Sequence, residues 1–341
     1  MVVGHPALED MDRVTGDWRA RRVLITGATG MVGSWLAKEL IGRGTEVVCL
    51  VQDADPQSEL LRSGDIDRTQ VVNGQLEDFA DVERAINARE VDTVFHLGAQ
   101  TIVGTARRDP LGTFEANIRG TYHVLEACRR HAGLVKRVVV ASSDKAYGAQ
   151  PKLPYVESMP LEGREPYEVS KSCTDLLAQS YSHAYRLPVA ILRCGNIYGG
   201  GDLNWSRIIP GTIRSFLHGE RPIIRSDGRF IRDYLYVKDV VGACLAVADR
   251  LDDPGVQGQG FNFSPQKPLT VLEVVEAIAR EMKAEKLKPI IQNAATGEIR
   301  DQYLSAAKAK RLLGWRAAYT LQKGLAETVD WYRRFLGGPP A

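Results

Sequence analysis

Arg22-Val23-Leu24-Ile25-Thr26-Gly27-Ala28-Thr29-Gly30-Met31-Val32-Gly33-Ser34-Trp35-Leu36-Ala37-Lys38-Glu39-Leu40-Ile41 decides the fold. Its first five residues form a short, largely β-branched run, its last eight have helical periodicity, and a glycine-rich turn joins them. Glycines at 27, 30 and 33 permit a tight turn, let backbone N–H groups approach a pyrophosphate, and let the helix pack closely on its strand. Gly27, Thr29, Gly30, Met31, Val32 and Gly33 are therefore candidate contacts of a dinucleotide.

Working outward, a second strand over 46–51 ends at Gln52-Asp53, about 20 residues past the third glycine. A carboxylate there can accept hydrogen bonds from the adenosine ribose and repels a 2′-phosphate, so Asp53 points to NAD rather than NADP. Asp53 also fits the opening of a solvated loop, as Ala54-Asp55-Pro56 suggests. Further strands are expected over 69–72, 91–96, 137–141 and 188–193, with helices over 79–87 and 110–131 between them. Leu76 follows the third strand, and Leu97, Gly98, Ala99 and Gln100 follow the fourth, where small residues let a cofactor lie against backbone. His96 reads as a packing residue at a strand end.

Beyond a glycine-rich loop over 194–202, a helix starts at Arg207, short strands are expected over 221–225 and 230–236, and a helix over 237–250. Thr270 and Glu273 form a capping box opening a helix to about residue 282. Segments 304–312 and 321–335 close the chain. The alternation predicts an α/β fold: a Rossmann-type, doubly wound parallel sheet with a smaller C-terminal mixed α/β lobe. The expected division is an N-terminal extension over 1–20, a cofactor domain over 21–195 with 228–265 returning to it, and a substrate lobe from 196–227 and 266–338. Ligands of such sheets sit beyond the carboxyl ends of the strands, which brings Gly27 to Gly33 and Ser143-Asp144-Lys145 to one crevice.

Tyr167 and Lys171 stand four residues apart just after Pro166, in the first turns of an expected helix, so phenol and ammonium share a face. At about 6 Å and an effective dielectric near 20, the lysine charge is worth roughly 2 to 3 kcal/mol, about two pKa units on the tyrosine. That would make Tyr167 a base for a hydroxyl proton. The same spacing also arises on any packed amphipathic helix.

Composition narrows the classes. The 44 basic and 42 acidic residues leave a net charge of +2, so the total charge implies no nucleic-acid surface. The five cysteines are scattered with no Cys-x-x-Cys pair, and the six histidines form no ligand cluster, so no metal is expected and a reducing cytoplasm is. No run of 18 apolar residues and no signal-peptide core occurs in the sequence, which points to a protein with no membrane partner.

The motifs together resemble the extended short-chain dehydrogenase/reductase family that modifies nucleotide sugars. The resemblance spans roughly 21–338 and rests on Thr26-Gly27-x-x-Gly30-x-x-Gly33, His96-Leu97-x-Ala99, Tyr167-x-x-x-Lys171, Arg193-x-Gly195-Asn196-x-Tyr198-Gly199, Arg232-Asp233-Tyr234-x-Tyr236-Val237-x-Asp239 and Leu313-Gly314-Trp315. Gly33 to Leu36, Ser143-Asp144-Lys145, and the 195–202 loop followed by Arg207-Ile208-Ile209-Pro210 are most similar to its CDP-glucose 4,6-dehydratase branch.

The resemblance implies an NAD-dependent conversion of an NDP-hexose, of CDP-glucose or GDP-mannose type, to the 4-keto-6-deoxy sugar. C4 is oxidised, water leaves across C5–C6, and C6 is reduced. Tyr167, with Lys171 and Ser143, would remove the C4 hydroxyl proton, Lys145 would take or relay the C5 proton, and Asp144 would protonate the departing C6 hydroxyl. Gln100, Asn196, Arg207 and Arg232 would contact the sugar nucleotide. A 4-epimerase of UDP-glucose type would need only the tyrosine and serine. A non-catalytic NAD sensor would have no use for the intact Tyr167 and Lys171. The family resemblance also implies a homodimer built on the helices near 110–131 and 167–185.

Overall fold

The computed structural model describes residues 16–294 and 298–337. The apolar runs form the strands β1 (Arg22–Thr26), β2 (Glu46–Val51), β3 (Gln70–Asn73), β4 (Thr93–His96), β5 (Arg137–Ala141), β6 (Val189–Cys194) and β7 (Gly260–Phe263). They make one sheet in the order β7-β6-β5-β4-β1-β2-β3, with every neighbouring pair parallel. This is the doubly wound sheet that the βα alternation predicts. Side chains alternate between its faces, as the two-residue period requires. Val23, Ile25, Val139 and Ala190 pack into one core with Leu36, Leu40, Val241 and Leu245. Leu24, Val94, Val138 and Val140 face the other, with Val82, Val124 and Ala178. Each fully buried Val, Leu or Ile contributes about 1.5–3 kcal/mol, and helices on both faces bury both rows.

The smaller part is built from short strands. Asn196–Tyr198 pairs parallel with Tyr234–Tyr236, and Ile231–Arg232 lies between Leu269–Thr270 and Asp301–Gln302. The helices Ile208–Leu217, Val271–Met282 and Leu321–Phe335 close over them on an aromatic core containing Tyr198, Tyr236, Trp331 and Tyr332.

Four local expectations change. The strand expected over 230–236 is two strands in different sheets, because Asp233 between them is buried and accepts from Leu304 N and Ser264 Oγ, both at 2.7 Å. The helix expected over 304–312 runs Ala307–Leu313, since Leu304 is held in a bridge to Tyr155. The helix expected over 110–131 contains a π turn, Glu115–Arg119, that turns Asn117 inward. β7, in the returning segment, carries no strand signal that the sequence reading found.

Of the N-terminal extension, residues 1–15 lie outside the described residues. Trp18 does not behave as part of a loose tail: it is 2% exposed and stacks on Phe95 at 6.2 Å. Trp18→Ala should therefore cost about 3–5 kcal/mol in chemical denaturation. A loss under about 1 kcal/mol, the size of a surface change, would remove Trp18 from the core.

Candidate active site

The turn after β1 and the helix Met31–Gly42 make the first half of the site. Gly27 adopts φ +71°, and a Cβ on it would lie 2.7 Å from the backbone N of Gly98. A Cβ on Gly33 would stand 2.1 Å from the Gly27 carbonyl oxygen, so helix and turn pack backbone to backbone. The first N–H groups of this helix have no acceptor within it. That is a cradle for a pyrophosphate. Asp53 lies exposed just beyond β2. Leu76 packs against Gly98 and Gly120, and Leu97, Gly98 and Ala99 continue from β4 beside the turn. These residues fit a dinucleotide.

His96 lies buried between Thr26 Oγ1 at 2.8 Å and Thr121 Oγ1 at 3.0 Å. Burial and the nearby Lys171 charge push it down to about 3, so it is a neutral packing residue, as the sequence suggests.

The second half grows from β5. Ser143 caps a short turn, Asp144–Tyr147, accepting from Lys145 N at 3.1 Å and donating to Asp144 Oδ1 at 3.0 Å. The facing helix, Pro166–Tyr185, begins with a proline and a capping box, which places Tyr167 and Lys171 in its first two turns. Both are buried. Lys171 Nζ donates to the Ala141 carbonyl at 2.9 Å, and a Ser143 hydrogen bond reaches Tyr167. Ser143, Asp144, Lys145, Tyr167 and Lys171 thus converge where β5 ends.

The electrostatic expectation for this pair is corrected. Burial pushes Tyr167 up to about 12, against which the Ser143 hydrogen bond and the Arg207 charge pull down. Lys171 is drawn down to about 8 by burial alone. Spacing gives the shared face, but depth decides the titration: desolvation outweighs the Coulombic help that a water-like surface would allow. Lys145 is also lowered, first by burial, with Asp144 opposing and Arg232 reinforcing.

The expected substrate contacts also hold local structure. The Gln100 backbone is locked to Asn117, its N–H donating to Asn117 Oδ1 at 2.7 Å and its C=O accepting from Asn117 Nδ2 at 3.0 Å, while its side-chain Oε1 accepts from Ile102 N at 2.6 Å. Asn196 opens a strand at the rim, and Arg207 pairs with Asp202 at 3.0 Å while remaining over one-third exposed. Arg232 is buried, and its guanidinium donates to the carbonyls of Ile231, Ile299 and Arg300 at 2.9, 2.5 and 2.7 Å. Three of its five N–H groups are engaged in holding backbone.

The NAD dependent epimerase/dehydratase family model matches residues 23–262. The chain belongs to this family. CDP-glucose 4,6-dehydratase of Salmonella typhimurium is 30% identical over 337 residues, 94% of this chain and 93% of that protein. Among solved structures, UDP-glucose 4-epimerase of Thermotoga maritima with UDP-glucose matches with a TM-score of 0.84 and 27% identity, over 92% of this chain and 99% of that one. A dTDP-glucose 4,6-dehydratase of Streptomyces venezuelae with NAD bound matches at TM-score 0.83 and 27% identity, covering 93% and 98%. NAD is this family's cofactor.

Sequence reasoning missed three residues of the site. Asn117 donates to Ser170 Oγ at 2.9 Å as well as to Gln100, and only the π turn brings it there. Gln302 reaches in from a two-residue strand with no motif around it. Asp175 forms a buried pair with Arg193, at 2.7 and 2.9 Å, for which the sole signal is a charge in the otherwise apolar strand β6.

The glycine geometry ranks two variants. Gly33→Ala should abolish measurable NAD binding by calorimetry. Gly30→Ala, whose Cβ would meet only the Gly27 oxygen at 3.3 Å, should weaken it far less. Equal losses would contradict the cradle as described.

Proposed function

We propose that this chain is a nucleotide-sugar 4,6-dehydratase, a hydro-lyase that turns an NDP-hexose of CDP-glucose or GDP-mannose type into its 4-keto-6-deoxy product. One observation carries the reading: a buried carboxyl group, that of Asp144, sits hydrogen-bonded to Ser143 with Lys145 Nζ 4.0 Å away, beside Tyr167. A 4-epimerase needs the tyrosine and serine but no second acid and base. The relationship to the Salmonella typhimurium CDP-glucose 4,6-dehydratase points the same way.

When bound, NAD supplies the two-electron acceptor that makes C4 a ketone and afterwards reduces C6. Gly27, Thr29, Gly30, Met31, Val32 and Gly33 would hold its pyrophosphate, Asp53 its adenosine ribose, and Leu76 and 97–99 its remaining length. Tyr167, once ionised against the cost of its burial, takes the C4 hydroxyl proton, and Ser143 orients both the phenolate and the sugar hydroxyl. A C4 ketone acidifies C5–H. Lys145, whose burial favours the neutral amine, takes or relays that proton, Asp144 in its carboxylic-acid form protonates the departing C6 hydroxyl, and a proton returns to C5 when C6 is reduced. Asn196, Arg207 and Arg232 contact the sugar nucleotide, with Gln100 at the sugar end. An arginine fork suits diphosphate oxygens.

On this reading residues 21–195 with 228–265 bind cofactor, and 196–227 with 266–338 bind substrate. The exposed Leu111 and Leu176 lie on the helix faces that would pair two copies into a homodimer. The free cysteines suit a reducing cytoplasm. Among the described residues no helix is long and apolar enough to cross a membrane.

Two measurements test the reading. Incubation with CDP-glucose, GDP-mannose, dTDP-glucose and UDP-glucose, without reductant, should yield loss of one water from a single donor by mass spectrometry. An unchanged mass with a new stereoisomer by NMR would make the chain a 4-epimerase. Asp144→Asn should stop water loss while C4 oxidation stays detectable in single turnover; unchanged dehydration would remove Asp144 from its role.

A further inference from the structure

Gln302 is fully buried, and both ends of its amide reach the turn after β5. Its Nε2 donates to the Asp144 carbonyl at 3.0 Å, and its Oε1 accepts from Lys145 Nζ. The two bonds fix the amide's orientation. Turned over, the NH2 would face an ammonium and the oxygen a carbonyl, replacing two attractive contacts by two repulsive ones.

The residue comes from far along the chain, in the strand Asp301–Gln302, where its register partner is Arg232. That arginine holds the carbonyls of Ile299 and Arg300 and stands 3.7 Å from Glu298. The backbone that carries Gln302 is thereby pinned by one residue, through its strand register and its guanidinium.

We propose that Gln302 is a positioning residue that holds the Lys145 amine beside Asp144 through proton uptake and release. An amide oxygen accepts an N–H from either an ammonium or an amine, so the contact survives the transfer that a base must make. A neutral acceptor matters here. The charges already facing Lys145 are Asp144, Glu168 and Glu298 on one side of the balance and Arg232 on the other. A further carboxylate would hold the proton on the lysine. The catalytic consequence rests on the dehydratase reading; the positioning does not.

The test combines NMR titration of labelled lysine Nζ, assigned through Lys145→Met, with kcat and KM profiles against pH for wild type, Q302E and Q302M. Q302E should raise the Lys145 titration by about one unit or more, and the ascending limb of kcat should follow it. Q302M should lower kcat roughly ten- to hundred-fold with KM little changed. A titration unmoved in folded Q302E overturns the proposal. If the wild type removes water from no nucleotide sugar, the dehydratase reading falls, and the NMR titration still decides whether Gln302 positions Lys145.

Discussion

The site depends on how one short turn is stitched to one helix. The Ala141 carbonyl at the end of β5 and the Ala146 carbonyl in the turn Asp144–Tyr147 both accept from side chains of that helix. Lys171 Nζ takes Ala141, Ser172 Oγ takes Ala146 at 2.9 Å, and Ser142 Oγ returns a bond to the Lys171 carbonyl at 3.3 Å. Each bond contributes only about 1 kcal/mol net, but a buried carbonyl left unpaired would cost about 1–3 kcal/mol. The penalty for any other docking therefore exceeds the gain from this one. Tyr167 and Lys171 inherit their places from that constraint.

A buried ion pair extends the stitching to the sheet edge. Arg193 on β6 meets Asp175 on the same long helix and donates to Tyr147 Oη at 2.7 Å, whose hydroxyl donates to Asn262 Oδ1 on β7 at 2.8 Å. Removing two charges from water is costly, so the pair is weak evidence for stability. Its effect is geometric, because breaking any one bond strands a buried partner. It also dictates the glycine that opens β7: a Cβ on Gly260 would stand 2.7 Å from the Arg193 guanidinium carbon. The glycine loop at 199–202 answers a similar demand on the other side. A Cβ on Gly200 would lie 2.3 Å from the Trp331 ring, and the Gly200 carbonyl accepts from Trp35 Nε1 at 2.8 Å.

The smaller sheets bring groups to the site that the large sheet cannot supply. Asp233 is buried, and desolvation above all raises it to about 6, against the bonds from Leu304 and Ser264. It ties the strands on either side of it to the 302–306 segment. Arg232 works on the neighbouring backbone. An arginine that reads in sequence as a phosphate clamp is thus largely occupied in shaping the site wall.

The sequence by itself determined six of the sheet's seven strands, the glycine turn and the pairing of Tyr167 with Lys171, because those rest on periodicities of two and 3.6 and on the absence of a Cβ, all local properties. It also determined the Ser143-Asp144-Lys145 turn, since a polar triplet directly after an apolar strand marks a strand end. Only the tertiary structure decided that Asn117 and Gln302 belong to the site, and that burial raises Tyr167 and lowers Lys171. Those outcomes depend on which distant groups meet and how far water is excluded. Desolvation and long-range hydrogen bonding are properties of the packed chain and leave no period or spacing for a sequence to display.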